Sequence, residues 1–109
     1  MKQWDTYQWE FPHGEHPCII ISPDETCRNP DIKRVNVIGC STHRAGRSPL
    51  AHEILLDTAD GMEWSTLARC DLIYIALKTE LKKRRGSVTL ERRRALGRLL
   101  IRIFGLWVE

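Results

Sequence analysis

Short apolar runs dominate the first two-thirds of the chain, and they predict β-strands. The run Cys18-Ile19-Ile20-Ile21 is rich in β-branched residues and is bounded by prolines, which is typical of a buried strand. The other runs mix apolar and polar residues and end at clusters of Gly, Pro, Asn and Asp. The pattern predicts five strands, over residues 4–11, 17–22, 33–40, 51–57 and 69–78.

The segments between these runs are polar and contain turn-forming residues. Residues 24–31 predict a surface loop with one helical turn, and residues 41–49 predict an exposed basic loop. Residues 59–61 predict a turn, and residues 62–68 predict a short helical turn.

A helix is predicted near the C-terminus, with Thr89 as its N-cap. Apolar residues then recur at three- and four-residue steps, and most arginines lie off this stripe. The stripe consists of Leu96, Leu99, Leu100, Ile103 and Trp107. It is expected to pack on the sheet, with recruitment of a partner as the alternative. Five strands followed by one helix favour a mainly β fold with α, a small, partly closed antiparallel β-barrel, and residues 1–109 are expected to form one domain.

Charge is distributed unevenly along the chain. Residues 78–102 include ten Lys or Arg residues and only two acidic residues, Glu80 and Glu91, although the net charge of the whole chain is +3. A basic segment of this kind suits a polyanion or an acidic protein partner, or it forms a solvated helix face.

The cysteines and the absence of long apolar runs suggest a cytoplasmic protein without membrane association. Cys18, Cys27, Cys40 and Cys70 form no C-x-x-C pair and are expected to be core thiols rather than zinc ligands or disulfides. No apolar run approaches the roughly 20 residues of a membrane span. The first residues also lack the apolar stretch of a signal peptide.

Five short motifs follow one another along nearly the whole chain. They are Trp4-Asp5-Thr6-Tyr7, Gly14-Glu15-His16-Pro17 before the isoleucine-rich run, Cys40-Ser41-Thr42-His43-Arg44, residues 65–73, and Gly86-Ser87-Val88-Thr89-Leu90-Glu91. In this order they resemble the MazF/PemK family of toxin endoribonucleases from bacterial toxin-antitoxin pairs. The resemblance implies an SH3-like barrel that forms a homodimer, binds a cognate antitoxin and cleaves single-stranded RNA through the RNA's own 2′-OH. It implies neither a metal nor another cofactor.

The resemblance also implies where the catalytic residues lie. The family pairs the Arg of an Arg-Pro with a Thr or Ser at the end of the third strand. Ser41 or Thr42 matches the second member of the pair, whereas His16 stands before Pro17 where the family has Arg.

Cleavage through the 2′-OH requires a base, an acid and a cation for the charge that develops on the phosphate. An imidazole, whose ordinary pKa is about 6.5, can serve as base or acid at neutral pH. The hypothesis is that His16 transfers protons, Ser41 or Thr42 positions an oxygen, and Arg44 or Arg47 stabilises the phosphate. Further RNA-binding candidates are His43, Lys82, Lys83, Arg84 and Arg85.

Other interpretations stay open. The chain is alternatively a catalytically inactive RNA- or protein-binding barrel of the same fold, or a gyrase-inhibiting toxin similar to CcdB. His13 and His16 form an H-x-x-H spacing, a weak metal signal without a further ligand nearby. Ser41, His43 or His52, and Asp71 provide the residue types of a hydrolytic triad without its motif. Trp4, Trp9 and Trp64 are candidates for stacking on unpaired bases or for core packing.

Overall fold

The computed structural model describes residues 1–44 and 46–106. The strands are β1 (Asp5–Phe11), β2 (Gly14–Ile20), β3 (Arg34–Thr42), β4 (Glu53–Leu56), β5 (Thr66–Leu77) and β6 (Lys82–Ser87). The helices are α1 (Asp24–Arg28) and α2 (Leu90–Phe104), with 3-10 turns at Thr58–Asp60 and Lys78–Glu80. The strands form one antiparallel sheet in the order β4-β5-β3-β2-β1-β6. The chain is therefore a six-stranded half-barrel with a C-terminal helix.

Apolar side chains pack on both faces of this sheet because successive residues of a strand point to opposite sides. Ile19 and Ile38 belong to one cluster, together with Leu96 and Leu99 of α2. Ile20 and Val37 belong to a second cluster, together with Trp9, Phe11 and other apolar residues. The central strands β2 and β3 are thus buried on both sides, as their continuous apolar runs indicate.

The structure confirms the main elements predicted from the pattern. All five predicted strands form, α1 provides the helical turn within residues 24–31, and α2 begins directly after Thr89. All four cysteines are buried thiols, as expected, and burial raises the pKa of Cys18 and of Cys70 to about 12. Within the apolar stripe of α2, Leu96 and Leu99 are buried, whereas Trp107 lies outside the described residues.

Two predictions are wrong. The helical turn predicted over residues 62–68 does not form, because β5 begins at Thr66 and pairs with β3 and β4 from its first residue. The basic run from Lys82 was not predicted as a strand, yet it forms β6 and pairs with β1 at one edge of the sheet. Charged residues are common on edge strands because they discourage pairing with further chains.

No helix in the described ranges, 1–44 and 46–106, is long and apolar enough to cross a membrane.

Candidate active site

A cleft opens where β2 and β3 separate. The two strands pair only from Cys18 opposite Gly39 to Ile20 opposite Val37. Before Cys18, β2 continues to pair with β1, and Pro17 has no N–H to offer to β3. Beyond Gly39, β3 passes a register shift and pairs with the start of β5. The diverging strands therefore leave His16 on one side of the cleft and the end of β3 on the other.

The cleft, of about 230 Å³, brings together residues from five strands and from the segment before β5. Its lining includes His16 from β2, Ser41 and Thr42 from β3, and Arg85 from β6. A wider depression of about 430 Å³ joins it and is lined by His16, Ser41, Thr42, Arg44 and Arg47. The four residues predicted to be catalytic thus lie around one continuous opening.

The ring of His16 lies beside other aromatic rings and forms no hydrogen bond within the described residues. Its centroid lies 5.0 Å from that of His13 and 6.1 Å from that of Phe11. Among residues 1–44 and 46–106, none forms a hydrogen bond with this imidazole, and no buried side-chain nitrogen lacks a partner. The ring nitrogens of His16 are therefore not buried without a partner, and the residue lines the cleft.

Arg85 brings a positive charge into the cleft in a fixed position. Nη1 of its guanidinium donates to Gln8 Oε1 at 2.9 Å, and Nη2 pairs with Glu63 Oε1 at 2.8 Å. Gly61 makes this arrangement possible, because it has φ of 88° and a Cβ there would lie only 2.8 Å from the carbonyl oxygen of Arg85. The close approach packs the segment containing Glu63 against β6. The side chain of Arg85 is 16% exposed, so its charge is partly shielded from water.

The loop after β3 is ordered by Arg47 and His43. Nη2 of Arg47 contacts both carboxylate oxygens of Glu53, at 2.8 and 2.9 Å. Burial alone would raise the pKa of Glu53, but the hydrogen bonds from Arg47 and from the backbone of Leu50 outweigh it and lower the pKa. One ring nitrogen of His43 bonds Ser65 Oγ at 3.0 Å, and the other bonds the carbonyl oxygen of Arg47. Both residues therefore have structural partners, whereas Arg44 forms no ion pair within the described part of the chain.

The rest of the basic run turns away from the cleft or lies at its edge. Arg84 pairs with Asp5 at 3.3 Å, on a different surface from Arg85. Burial opposes ionisation of Asp5, but hydrogen bonds from Ser87 and Arg84 prevail and lower its pKa. Lys82 lies 3.8 Å from Glu15, which lines the cleft, and Lys83 is exposed.

The described residues form neither a metal site nor a hydrolytic triad built on His43. The rings of His13 and His16 are close, but residues 1–44 and 46–106 contain no group of three His, Cys, Asp or Glu side chains placed to hold a metal. His43 contacts Ser65 rather than Ser41, and Asp71 forms an ion pair with Arg69 at 2.7 Å.

Glu63 and Arg69 were not predicted as residues of the site, whereas Trp64 was named from the sequence as a candidate for base stacking or core packing. Glu63 and Trp64 line the cleft, and Arg69 lines an adjoining depression of about 180 Å³ together with His16 and Ser41. The sequence places Glu63 and Trp64 in the segment that was predicted as a helical turn. The tryptophan in a polar segment was the signal for Trp64, and no signal in the sequence pointed to Glu63 or Arg69.

The fold of this chain is similar to that of several solved proteins. No model of a known protein family matches the chain, and no curated protein sequence matches it. Solved structures match it over almost its whole length. An endoribonuclease from a mycobacterial species, solved with its cognate antitoxin, is 20% identical, with a TM-score of 0.82 and coverage of 100% of this chain and 99% of the other.

Two further structures agree with this match. Toxin MazF-mt6 of Mycobacterium tuberculosis is 19% identical, with a TM-score of 0.79 and coverage of 95% of this chain and 99% of the toxin. A MazE-MazF structure from Deinococcus radiodurans is 12% identical, with a TM-score of 0.73 and coverage of 98% and 97%. The expected fold is thus confirmed: this chain has the half-barrel and C-terminal helix of the MazF toxins.

Proposed function

We propose that this protein is the toxin of a type II toxin-antitoxin pair and cleaves single-stranded RNA without a metal ion. The observation that carries the proposal is the convergence of His16, Ser41, Thr42 and Arg85 on one cleft of a MazF-type fold. These residues provide a proton-transfer group, two hydroxyls and a cation, which together suit attack on a phosphodiester.

The reaction is a transfer of the phosphoryl group within the RNA. The 2′-oxygen attacks the adjacent phosphorus and loses its proton to a base, and the bond from phosphorus to the 5′-oxygen breaks as that oxygen takes up a proton. The products are a 2′,3′-cyclic phosphate and a 5′-OH. His16 transfers one of these protons, because it lines the cleft without a hydrogen-bond partner among the described residues and imidazole is a common general acid or base.

Arg85 and Arg44 stabilise the charge that develops on the phosphate. Arg85 is held by Gln8 and Glu63, so little reorganisation is needed when the charge appears. Arg44 lines the wider depression and is exposed, so its side chain is free to contact phosphates of the RNA backbone. Ser41 and Thr42 donate hydrogen bonds to phosphate oxygens. Binding that depends on such cations weakens as the salt concentration rises.

The partners of the proposed toxin are a cognate antitoxin and a second copy of the chain. The mycobacterial endoribonuclease similar to this chain was solved with its antitoxin, which supports a protein partner of that kind here. A homodimer is supported by apolar side chains on one face of β5, where Ile73 is 37% exposed and Ile75 is 65% exposed. Burial of these side chains against a second copy would remove apolar surface from water.

The substitution Ile75→Lys is expected to convert the dimer to a monomer, because it places an unpaired charge in the interface. Sedimentation velocity of the purified protein measures the change, with Ile32→Lys, an exposed isoleucine outside β5, as the matched control. If wild type and Ile75→Lys sediment alike as dimers, this face of β5 is not the interface.

The proposed function is tested by incubating the purified protein with a long single-stranded RNA of mixed sequence in EDTA. Cuts at defined positions support it. RNA that is bound but left intact indicates the inactive binding barrel.

A further inference from the structure

Trp64 is an exposed aromatic residue at the cleft, and the proposed proton and phosphate chemistry does not use it. Its side chain is 55% exposed although it lines the same cleft as His16, Ser41 and Thr42. A tryptophan normally buries a large area on folding, so an indole left open beside a cleft is informative.

Two hydrogen bonds fix the backbone at Trp64 and at the residue that follows it. The hydroxyl of Thr66 donates to the carbonyl oxygen of Trp64 at 2.8 Å. The backbone N–H of His43 donates to the carbonyl oxygen of Ser65 at 3.0 Å. The indole is therefore presented to solvent by an ordered segment, and little conformational entropy would be lost when a ligand packs on it.

The polar edge of the indole is already satisfied. Its N–H donates to Thr42 Oγ1 at 3.0 Å, so the exposed part of the side chain is aromatic surface. Thr42 accepts this hydrogen bond, and its own proton is left to donate elsewhere, toward the cleft. Trp64 thus presents a flat apolar surface and also orients a hydroxyl of the candidate active site.

We propose that Trp64 is a binding residue for an unpaired nucleobase next to the phosphate that is cleaved. The inference rests on the proposed function and specifies its substrate: the base must be unstacked from its neighbours, so single-stranded RNA fits and duplex RNA does not. Stacking on an aromatic side chain tolerates any base, because every base has a π-face. The cations of the cleft, Arg85 and Arg44, then hold the adjoining phosphate.

The experiment measures binding of a short RNA that cannot be cut because each 2′-OH is replaced by fluorine. The full chain is compared with Trp64→Leu, Trp64→Phe and Phe104→Leu, the last being a matched control that removes an exposed ring on α2, outside the cleft. Trp64→Leu is expected to weaken binding about 10- to 100-fold. Trp64→Phe retains a stacking ring and is expected to bind within a few-fold of wild type, as is Phe104→Leu.

A scan with single abasic nucleotides separates stacking from a structural role. One abasic position is expected to weaken binding to the wild type but to have little further effect on Trp64→Leu, because the missing base and the missing ring remove the same contact. With cleavable RNA, Trp64→Phe is expected to lower kcat more than it raises KM, since it removes the N–H that orients Thr42. Thermal unfolding confirms that each variant is folded.

The outcomes distinguish this inference from the proposed function. If Trp64→Leu binds RNA as tightly as the wild type while the wild type cleaves RNA, the stacking role is wrong and the proposed ribonuclease activity is supported. If Trp64→Leu loses binding but the wild type never cleaves, Trp64 is a base-stacking residue of a binding protein. A wild type that does not bind single-stranded RNA overturns both.

Discussion

The substitution His16→Ala is expected to slow RNA cleavage about 10²- to 10⁴-fold, the range that general acid–base groups usually contribute. His16 carries the one imidazole among the described residues that line the central cleft, and imidazole is the group that general acid–base catalysis uses most often. Its removal leaves Arg85 and the hydroxyls of Ser41 and Thr42 in place, so RNA binding should change little. Initial rates on a labelled single-stranded RNA measure the effect.

His13→Ala is the matched control for this experiment. The ring of His13 lies 5.0 Å from that of His16 but lines only the adjoining depression. Loss of His13 is expected to change the rate by no more than a few-fold. Equal rates for wild type and His16→Ala would remove His16 from the mechanism.

The substitution Asp60→Ala is expected to lower the free energy of unfolding by about 3–5 kcal/mol, the usual cost of removing one partner of a buried ion pair. Asp60 is fully buried, and its carboxylate accepts hydrogen bonds from Arg92 and from the backbone N–H groups of Asp57 and Thr89. It lies at the start of α2, where a negative charge is favoured by the helix dipole.

Urea unfolding measures this loss. Asp60→Asn retains a hydrogen-bond acceptor and should cost less than Asp60→Ala. The exposed Asp31 provides a control, since Asp31→Ala should change the free energy of unfolding by less than about 0.5 kcal/mol. A loss for Asp60→Ala as small as that control would mean that Arg92 and its second partner, Asp57, hold α2 in place without Asp60.

The start of α2 was predicted from the sequence, but its contact with Asp60 was not. The periodic apolar residues of α2 predicted the helix, and Thr89 marked its N-cap position correctly. The side chain of Thr89 makes no capping hydrogen bond, however, and its N–H is satisfied by Asp60, 29 residues earlier in the sequence. Periodicity reports local structure only, so it cannot identify a tertiary partner of this kind.

The unpredicted strand β6 and the wrongly predicted helical turn over residues 62–68 share a cause, because tertiary strand pairing decides both. The strand β6 is mostly basic, and it lacks the alternation of apolar and polar residues by which strands are recognised. It exists because β1 provides hydrogen-bond partners at the edge of the sheet. The start of β5 is likewise fixed by its pairing with both β3 and β4.

The candidate site was predictable only in part. The family resemblance pointed to His16, Ser41 and Thr42, which lie on different strands and meet at one cleft. The sequence grouped Lys82, Lys83, Arg84 and Arg85 as one basic run. The structure separates them, because Arg84 pairs with Asp5 while Arg85 enters the cleft beside Glu63. Side-chain direction within an irregular edge strand decides that difference.

The proposed reaction is cleavage of single-stranded RNA through its own 2′-OH, without a metal ion. The most direct measurement maps the cuts made by the wild type in EDTA and repeats the reaction on an RNA with a single 2′-deoxy nucleotide at one mapped cut. We expect 2′,3′-cyclic phosphate and 5′-OH ends, and loss of cutting at the modified position alone. Cutting that persists at the 2′-deoxy position, or bound RNA that is never cut, would contradict it.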